Sequence, residues 1–226
     1  MLAIIKKELK SYFYTPIGYI FIALFLAVVS FIFYTYTFSS GYLNFEYIIW
    51  DSTVVLAFII PVLTMRMFAE ERKTGTDQLL FTSPKSITSI VLGKILAATI
   101  VVIIGLLFTF IYYGILRHFG NVSLREPLVA MLGYILLSMS YISFGMFASS
   151  ITENQIIAAV VPIAFAFIIS FLQSYKGFVE MFSLVQMYQK FPQGIISLKE
   201  VVGYVTFILL FTCLTIIVLQ RRRSVK

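Results

Sequence analysis

The charged and apolar side chains best placed to bind a partner are concentrated in one polar segment, residues 66–86, which separates two apolar runs. It contains the charged run E-E-R-K (70–73) and the apolar triplet L-L-F (79–81). Gly75 is suited to end a helix, and Ser83–Pro84 to cap and open the next one. Such an apolar triplet on a short helix, outside an apolar run, is typical of a segment that docks into a groove on another protein. The pattern equally allows a loop whose triplet folds back onto a bilayer.

The other reactive side chains form no catalytic or metal-binding pattern. His118 is the only histidine, so a metal site or proton relay built on it lacks a second histidine. Cys213, the only cysteine, lies in an apolar run. Glu46 and Asp51 are interpreted as solvated groups near the end of an apolar run. The sequence therefore predicts no catalytic residue and no metal ligand.

The composition is that of a membrane protein. Hydrophobic residues make up 60% of the 226 residues and charged residues 12%, with a mean hydropathy of +0.98. Soluble domains have roughly 45–50% apolar and about 25% charged residues. A chain of this size has too little interior to hide so much apolar surface, so lipid must cover the rest.

Six apolar runs approach the length of about 20 residues that a spanning helix needs. None shows an alternating pattern, so we predict an all-α polytopic membrane protein with six transmembrane helices. The predicted spans are residues 17–38, 52–68, 87–116, 128–149, 156–173 and 201–219.

The positions of Lys and Arg predict that both termini are cytoplasmic, because cytoplasmic segments of membrane proteins are enriched in these residues. The net charge of +7 is explained in this way without a nucleic-acid partner. The predicted inside residues are Lys6, Lys7, Lys10, Arg66, Arg72, Lys73, Lys85, Lys94, Arg221, Arg222, Arg223 and Lys226. The predicted outside residues are Arg117, Arg125, Lys176, Lys190 and Lys199.

Two segments outside the spans are predicted to lie on the membrane surface. Residues 1–16 place apolar side chains at helical spacing opposite Lys6, Lys7 and Lys10, which is typical of an interfacial helix on an anionic leaflet. A generic basic flank is the alternative. Residues 174–200 are too apolar for a free loop, and we expect an external helical hairpin that is partly re-entrant.

Four sequence segments carry a family resemblance. They are K-K-E-L-K-S-Y-F-Y-T-P-I-G-Y (6–19), P-V-L-T-M-R-M-F-A-E-E-R-K-T-G-T (61–76), L-L-F-T-S-P (79–84) and F-P-Q-G-I-I-S-L-K-E-V (191–201). Together they resemble the permease subunit of type-2 ABC (ATP-binding-cassette) exporters, in the gliding-motility and nitrous-oxide-maturation branch. Pro192 and Gln193 depart from the family pattern, where a basic or small residue often precedes the glycine.

The resemblance implies a single permease domain over residues 1–226, in the plasma membrane of a bacterium or archaeon. It also implies a dimer of permeases, as identical copies or paralogues, above two nucleotide-binding ATPase subunits. Residues 69–86 would be the cytoplasmic coupling region that contacts the ATPase. The coupling residues implied in this way are Glu70, Glu71, Arg72, Gly75, Thr76, Leu79, Leu80, Phe81 and Pro84.

The chain has no phosphate-binding loop of its own. Gly93–Lys94 is followed by Ile95, and Thr88 stands where the first glycine of the motif should be. We therefore expect the chain to be a transporter subunit and not an enzyme. It would bind no cofactor, with ATP and Mg on the partner ATPase.

Uncharged aromatic and small residues are candidates for a transport pathway. They favour amphipathic, lipid-like or peptide cargo over a small ion, although helical Phe is more often lipid-facing packing. An ATPase-independent secondary transporter and, less favoured, a membrane-embedded enzyme are the alternatives, but the spans have almost none of the ionisable groups that these need. The candidate pathway residues are Phe58, Pro61, Thr64, Pro162, Phe165, Ser170 and Gln173.

The charge distribution gives a direct test of topology. Single cysteines at Ser86 and at Ser123 should be labelled from opposite sides of the membrane, since these residues lie in segments predicted inside and outside. Labelling of intact cells with a membrane-impermeant thiol reagent measures this. Labelling of both positions from outside contradicts the predicted topology.

Overall fold

The computed structural model describes residues 1–39, 44–76, 85–120, 123–172 and 183–225. Every regular element in these ranges is a helix, which confirms the predicted all-α class. In chain order they are α1 (Leu2–Tyr14), α2 (Ile17–Tyr34) with a π-helical turn (Thr35–Ser39) after it, α3 (Phe45–Thr64), α4 (Ala69–Lys73), α5 (Ile87–Phe119), α6 (Arg125–Ile151), α7 (Gln155–Leu172), α8 (Leu184–Tyr188) and α9 (Leu198–Val225).

Several of these helices are long and apolar enough to cross a membrane. Within the described ranges there are five, which run over Ile17–Thr37, Phe45–Lys73, Ile87–Phe119, Arg125–Ile151 and Leu198–Arg223. The chain is therefore a multi-pass membrane protein. The predicted span at 156–173 falls on α7, whose apolar stretch Gln155–Ile169 is shorter, so a total of six spans stays a prediction.

Three helices begin clearly earlier than the apolar runs that predicted them: α3, α6, which begins at Arg125, and α9. In α3 and α9, polar residues near the start of the helix have partners in the protein. α3 begins at Phe45, well ahead of residue 52, and Tyr36 Oη donates a hydrogen bond to the Asp51 carboxylate. α9 begins at Leu198, and Glu200 in its first turn lies 2.7 Å from Lys190 Nζ. The interpretation of Asp51 as a merely solvated group is therefore corrected.

The start of α5 is capped by a serine side chain. The helix begins at Ile87, as the predicted span 87–116 does, and the side chain of Ser86 is its N-cap and accepts a hydrogen bond from the Ser89 N–H; Ser83 and Pro84 lie outside the described residues. A serine at this position satisfies one of the free N–H groups of the first turn.

Helix α6 is the centre of the bundle and contacts α3, α5, α7 and α9. Its small residues allow this close packing, which is typical of membrane helices. A Cβ built on Gly145 would lie 2.2 Å from Thr64 Oγ1 of α3, and one on Gly133 would lie 2.4 Å from the Phe191 ring. The buried Ser138 and Ser143 hydroxyls bond to backbone carbonyls of their own helix, so α6 brings no unsatisfied hydroxyl there.

The two ends of the bundle are built differently. At one end lie α1, the start of α5, the ends of α6 and α9, and residues 65–76, which we call the elbow and which contain α4. At the other end the described part of the predicted hairpin packs on the bundle, with the Tyr188 ring stacked on Trp50 at 5.6 Å. Tyr188 Oη also donates to the Ala130 carbonyl, which fixes α8 against α6.

The packing of α3 on α6 can be tested with one added methyl group. Gly145→Ala should lower the free energy of unfolding by about 1–3 kcal/mol, because the methyl overlaps the buried Thr64 hydroxyl. Gly114→Ala is the matched control, since no atom lies within 4 Å of a Cβ at that position of α5. Thermal unfolding in detergent measures both, and equal midpoints would contradict the packing described.

Candidate functional site

The elbow is a five-residue helix with a turn on each side. α3 ends at Thr64, and α4 follows after one turn. Gly75 ends α4 with a φ of 71°, and its N–H donates to the Arg72 carbonyl at 3.1 Å. This left-handed backbone favours glycine, so the prediction that Gly75 ends a helix is confirmed. So short a helix gains little stability from its own hydrogen bonds and depends on its neighbours.

The first turn of the elbow is held by a side chain from α6. Ser149 Oγ accepts hydrogen bonds from the N–H groups of Phe68 and Ala69, both at 3.1 Å, and lies 3.1 Å from the Met65 carbonyl, to which it donates. Ser149 is fully buried. One hydroxyl of the central helix thus satisfies backbone groups on both sides of the turn.

Arg72 joins the same face of the elbow to the end of α6. Its Nη1 donates to the Ile151 carbonyl at 2.9 Å, and its Nη2 lies 2.5 Å from Glu153 Oε1. Arg222 near the end of α9 donates to the same Ile151 carbonyl at 3.0 Å. Arginine is favoured there because the last carbonyls of a helix lack partners and carry partial negative charge.

The opposite face of the elbow is joined to α1 and α5 through a buried ammonium group. Lys94 Nζ donates to Glu71 Oε1 at 2.9 Å, to Glu8 Oε1 at 3.2 Å and to the Met67 carbonyl at 2.8 Å. It also lies 5.1 Å from the centre of the Phe68 ring. We call Lys94, Glu8, Glu71 and the Met67 carbonyl the Lys94 cluster. Its members come from α1, the elbow and α5.

Burial makes this cluster a strong constraint. Lys94 is only 2% exposed, and a lysine ammonium has three donors, each of which finds an acceptor here. Two charges taken out of water are stable only when their geometry and hydrogen bonds compensate for lost hydration. Removal of one partner would leave a buried charge uncompensated. Separation of α1, the elbow or α5 from the other two is therefore unfavourable.

The backbone of α5 permits the close approach of α1 beside this cluster. A Cβ on Gly93 would lie 2.8 Å from Ile4 Cγ2 of α1. Tyr12 of α1 is buried, and burial together with the Glu8 and Glu71 carboxylates raises the pKa of its phenol above the ordinary value. Tyr12 therefore remains a neutral, packed side chain at physiological pH.

These contacts add a packed face to α1, whose position at the membrane interface stays a prediction. Lys6, Lys7 and Lys10 are exposed as expected, but Glu8 is turned into the protein. The sequence predicts Lys94 only as one of the cytoplasmic cations and does not indicate its partners Glu8 and Glu71. The available signal was that a lone lysine in an apolar run needs a carboxylate or carbonyl partner.

The structure places the implied coupling residues on different contacts. Glu71 belongs to the Lys94 cluster and Arg72 to the end of α6, whereas Glu70 lies on the surface, 3.8 Å from Arg66 Nη1. Gly75 and Thr76 are exposed at the end of the elbow. Leu79, Leu80, Phe81 and Pro84 lie outside the described residues.

The candidate pathway residues lie in contacts between helices of the same chain. Thr64 packs on Gly145, the Phe165 ring lies 4.2 Å from that of Phe144, and Phe58 contacts Phe167 edge-on at 5.3 Å. Pro61 and Pro162 are buried within α3 and α7. The side chain of Ser170 and all of Gln173 lie outside the described part of the chain.

The contacts at this end of the protein connect the elbow mechanically to the neighbouring helices. The elbow is bonded to α6 on one face and to α1 and α5 on the other. Among the described residues, no three His, Cys, Asp or Glu side chains approach one another as metal ligands would.

The Lys94 cluster makes a stability prediction. Lys94→Met should lower the free energy of unfolding by about 3–5 kcal/mol, because Glu8 and Glu71 would lose the buried cation that donates a hydrogen bond to each of them. Lys10→Met removes the same charge from an exposed position of α1 and should change it by less than about 0.5 kcal/mol. Denaturant or thermal unfolding in detergent compares the two. Equal stability of both variants would show that the cluster does not hold the elbow.

Comparison with known families gives one match that extends over most of the chain. The model of the ABC-2 family transporter proteins matches residues 40–220, which include α3, the elbow, the Lys94 position and nearly all of α9. A search of curated proteins found no match to this chain. Since the match covers far more than half of the sequence, this multi-pass membrane protein belongs to the ABC-2 transporter family and is a membrane component of an ABC transporter.

Proposed function

We propose that this chain is the permease subunit of an ATP-driven exporter and that the elbow passes the movement of a separate ATPase to the membrane helices. The observation that carries the proposal is that the elbow is bonded on both faces. Ser149 and Arg72 connect it to α6, and Glu71 connects it to Lys94 of α5 and through it to Glu8 of α1. A displaced elbow must move these helices or break buried polar contacts.

The ATPase would contact the segment that continues from the elbow. Residues 69–86 form the proposed coupling region, and the apolar triplet 79–81 supplies its affinity. Burial of each such side chain in a partner groove stabilises a complex by about 1.5–3 kcal/mol. Exposed ion pairs contribute about 0–1 kcal/mol, so Glu70 and Lys73, which remain on the surface, would set orientation more than affinity. Glu71 and Arg72 would act inside the permease.

ATP, the proposed energy source, would be bound by the partner subunit. The proposed ATPase subunit binds ATP and Mg, because this chain has no phosphate-binding loop. By its four motifs we place the chain in the gliding-motility and nitrous-oxide-maturation branch, in the plasma membrane of a bacterium or archaeon. Both termini would be cytoplasmic, and α7 would complete six spans.

A second permease copy or paralogue would complete the pathway. Pro61, Pro162 and Thr64 are buried within one chain, so a route for cargo would form where two subunits meet. We propose α2, α3 and α7 for this interface, and much of the surface of α2 is apolar and exposed, as at Phe31 and Tyr34. Such uncharged walls favour amphipathic, lipid-like or peptide cargo.

Loss of the apolar triplet should separate insertion from coupling. Leu79→Ser with Leu80→Ser should leave membrane insertion and unfolding temperature unchanged, but weaken ATPase association by at least tenfold. Leu2→Ser is the control, since Leu2 is an equally apolar and highly exposed residue of α1, at the same end of the bundle. Copurification from the native cells with the tagged permease, followed by mass spectrometry of the bound ATP-binding subunit, measures association.

Two results would overturn the assignment. If the double Ser variant retains the ATPase as well as the wild type does, the triplet is not the docking surface. If no ATPase copurifies with the wild-type protein and none is stimulated by it in nanodiscs, the ATP-driven function itself is wrong.

A further inference from the structure

A cavity of about 580 Å³ lies between α1, the elbow and the first turns of α5. This volume falls within the range of roughly 300–1,000 Å³ that small-molecule sites occupy. Part of its wall is apolar and includes Ile4, Ile17 and Ile90, and part carries charged side chains, among them Lys7 and Arg66. The cavity is therefore amphipathic, and its lining includes residues that the coupling mechanism does not use.

The wall carries charges of both signs. The cations are Lys7, Arg66, Lys85 and Lys94. The carboxylates are Glu8, Glu70 and Glu71. Lys85 and Lys94 interact with groups of the protein, so the donors of Lys7 and Arg66 decide what this cavity can bind.

The donors of two of these cations are not used in hydrogen bonds. Lys7 Nζ lies 3.6 Å from Glu8 Oε1 and 3.7 Å from Glu71 Oε1, and Arg66 Nη1 lies 3.8 Å from Glu70 Oε1. These distances are too long for hydrogen bonds, whereas Lys94 uses all three of its donors. Arg66 Nε is enclosed and has no hydrogen-bond partner among the described residues. An arginine and a lysine with free donors on one wall suit the oxygens of a phosphate group.

The apolar wall indicates that this phosphate belongs to a lipid. Ile17 begins α2, and the next turns of that helix expose Ile20 and Leu24 by 47% and 51%. An acyl chain that leaves the cavity past Ile17 would thus reach the exposed apolar side chains in the first turns of α2, ahead of Phe31 and Tyr34, without crossing a polar region. Free inorganic phosphate has no apolar part and would make no contact with the apolar wall of the cavity.

We propose that this cavity binds one anionic phospholipid, whose phosphodiester contacts Lys7 and Arg66 and whose acyl chain follows Ile17 and α2. The lipid joins α1 to the end of α3 beside the Lys94 cluster. The site requires only that the chain lies in a membrane, so it is independent of the proposed coupling to an ATPase.

The test is lipid retention by the full-length protein. Delipidated protein in detergent is titrated with phosphatidylglycerol and bound lipid is counted by native mass spectrometry. We expect one tightly bound lipid per chain, with affinity reduced about tenfold in Lys7→Gln and in Arg66→Gln, the loss of one charge-assisted contact. Lys10→Gln and Lys73→Gln are matched controls, because they remove the same charge from exposed positions of α1 and the elbow outside the cavity. Both should bind as the wild type does.

Three outcomes would overturn the proposal. Equal weakening in the cavity variants and their controls means that the lysines and arginine attract lipid only diffusely. Equal retention of phosphatidylcholine means that the bound lipid is general annular lipid without charge selection. Displacement of phosphatidylglycerol by millimolar inorganic phosphate means a free-anion site. Unchanged unfolding temperatures of the variants show that the binding measurement concerns the site and not the fold.

Discussion

A buried lysine ammonium is the constraint on which the arrangement at this end of the protein depends. Lys94 is 2% exposed and needs acceptors for three donors and a countercharge for itself. The cluster meets this need with Glu8, Glu71 and the Met67 carbonyl, which come from two other elements. The position of α1 beside α5, the direction in which the elbow leaves α3, and the burial of Glu8 all follow from that one group.

The opposite face of the elbow is held by hydrogen bonds to α6, from a neutral hydroxyl and from an arginine. α4 is too short to be stable alone, and its first N–H groups are satisfied by Ser149 of α6 while Arg72 reaches the last carbonyl of that helix. These contacts fix the elbow to the helix bundle. In a member of the ABC-2 transporter family, a rigid connection at this place suits the transfer of force from a partner to the membrane helices.

Composition and hydrophobic runs predict the membrane class, the helical fold and the polar segment between α3 and α5. These features depend on burial in lipid and on the order of apolar and polar residues within each segment. Gly75 is predictable for the same reason, since its backbone requirement is local. The Lys94 cluster is not, because Glu8, Glu71 and Lys94 are far apart in sequence and any of several acids could have paired with the lysine. The early start of α3 is likewise missed, because Glu46 and Asp51 interrupt the apolar run although Phe45, Ile48 and Ile49 are fully buried.

Because the Lys94 cluster joins α1, the elbow and the start of α5, we expect these three elements to move as one body. Spin labels at the exposed positions Lys10, Lys73 and Thr88, in a Cys213→Ser background, report the distances among the three elements by double electron–electron resonance. The measurement uses the complex with its ATPase in nanodiscs, with and without ATP. We predict narrow distance distributions with the same maxima in both states, and broadened distributions when Lys94 is replaced by Met. A shift of the distance between Lys10 and Lys73 on ATP binding would show that α1 and the elbow move separately and would contradict the account.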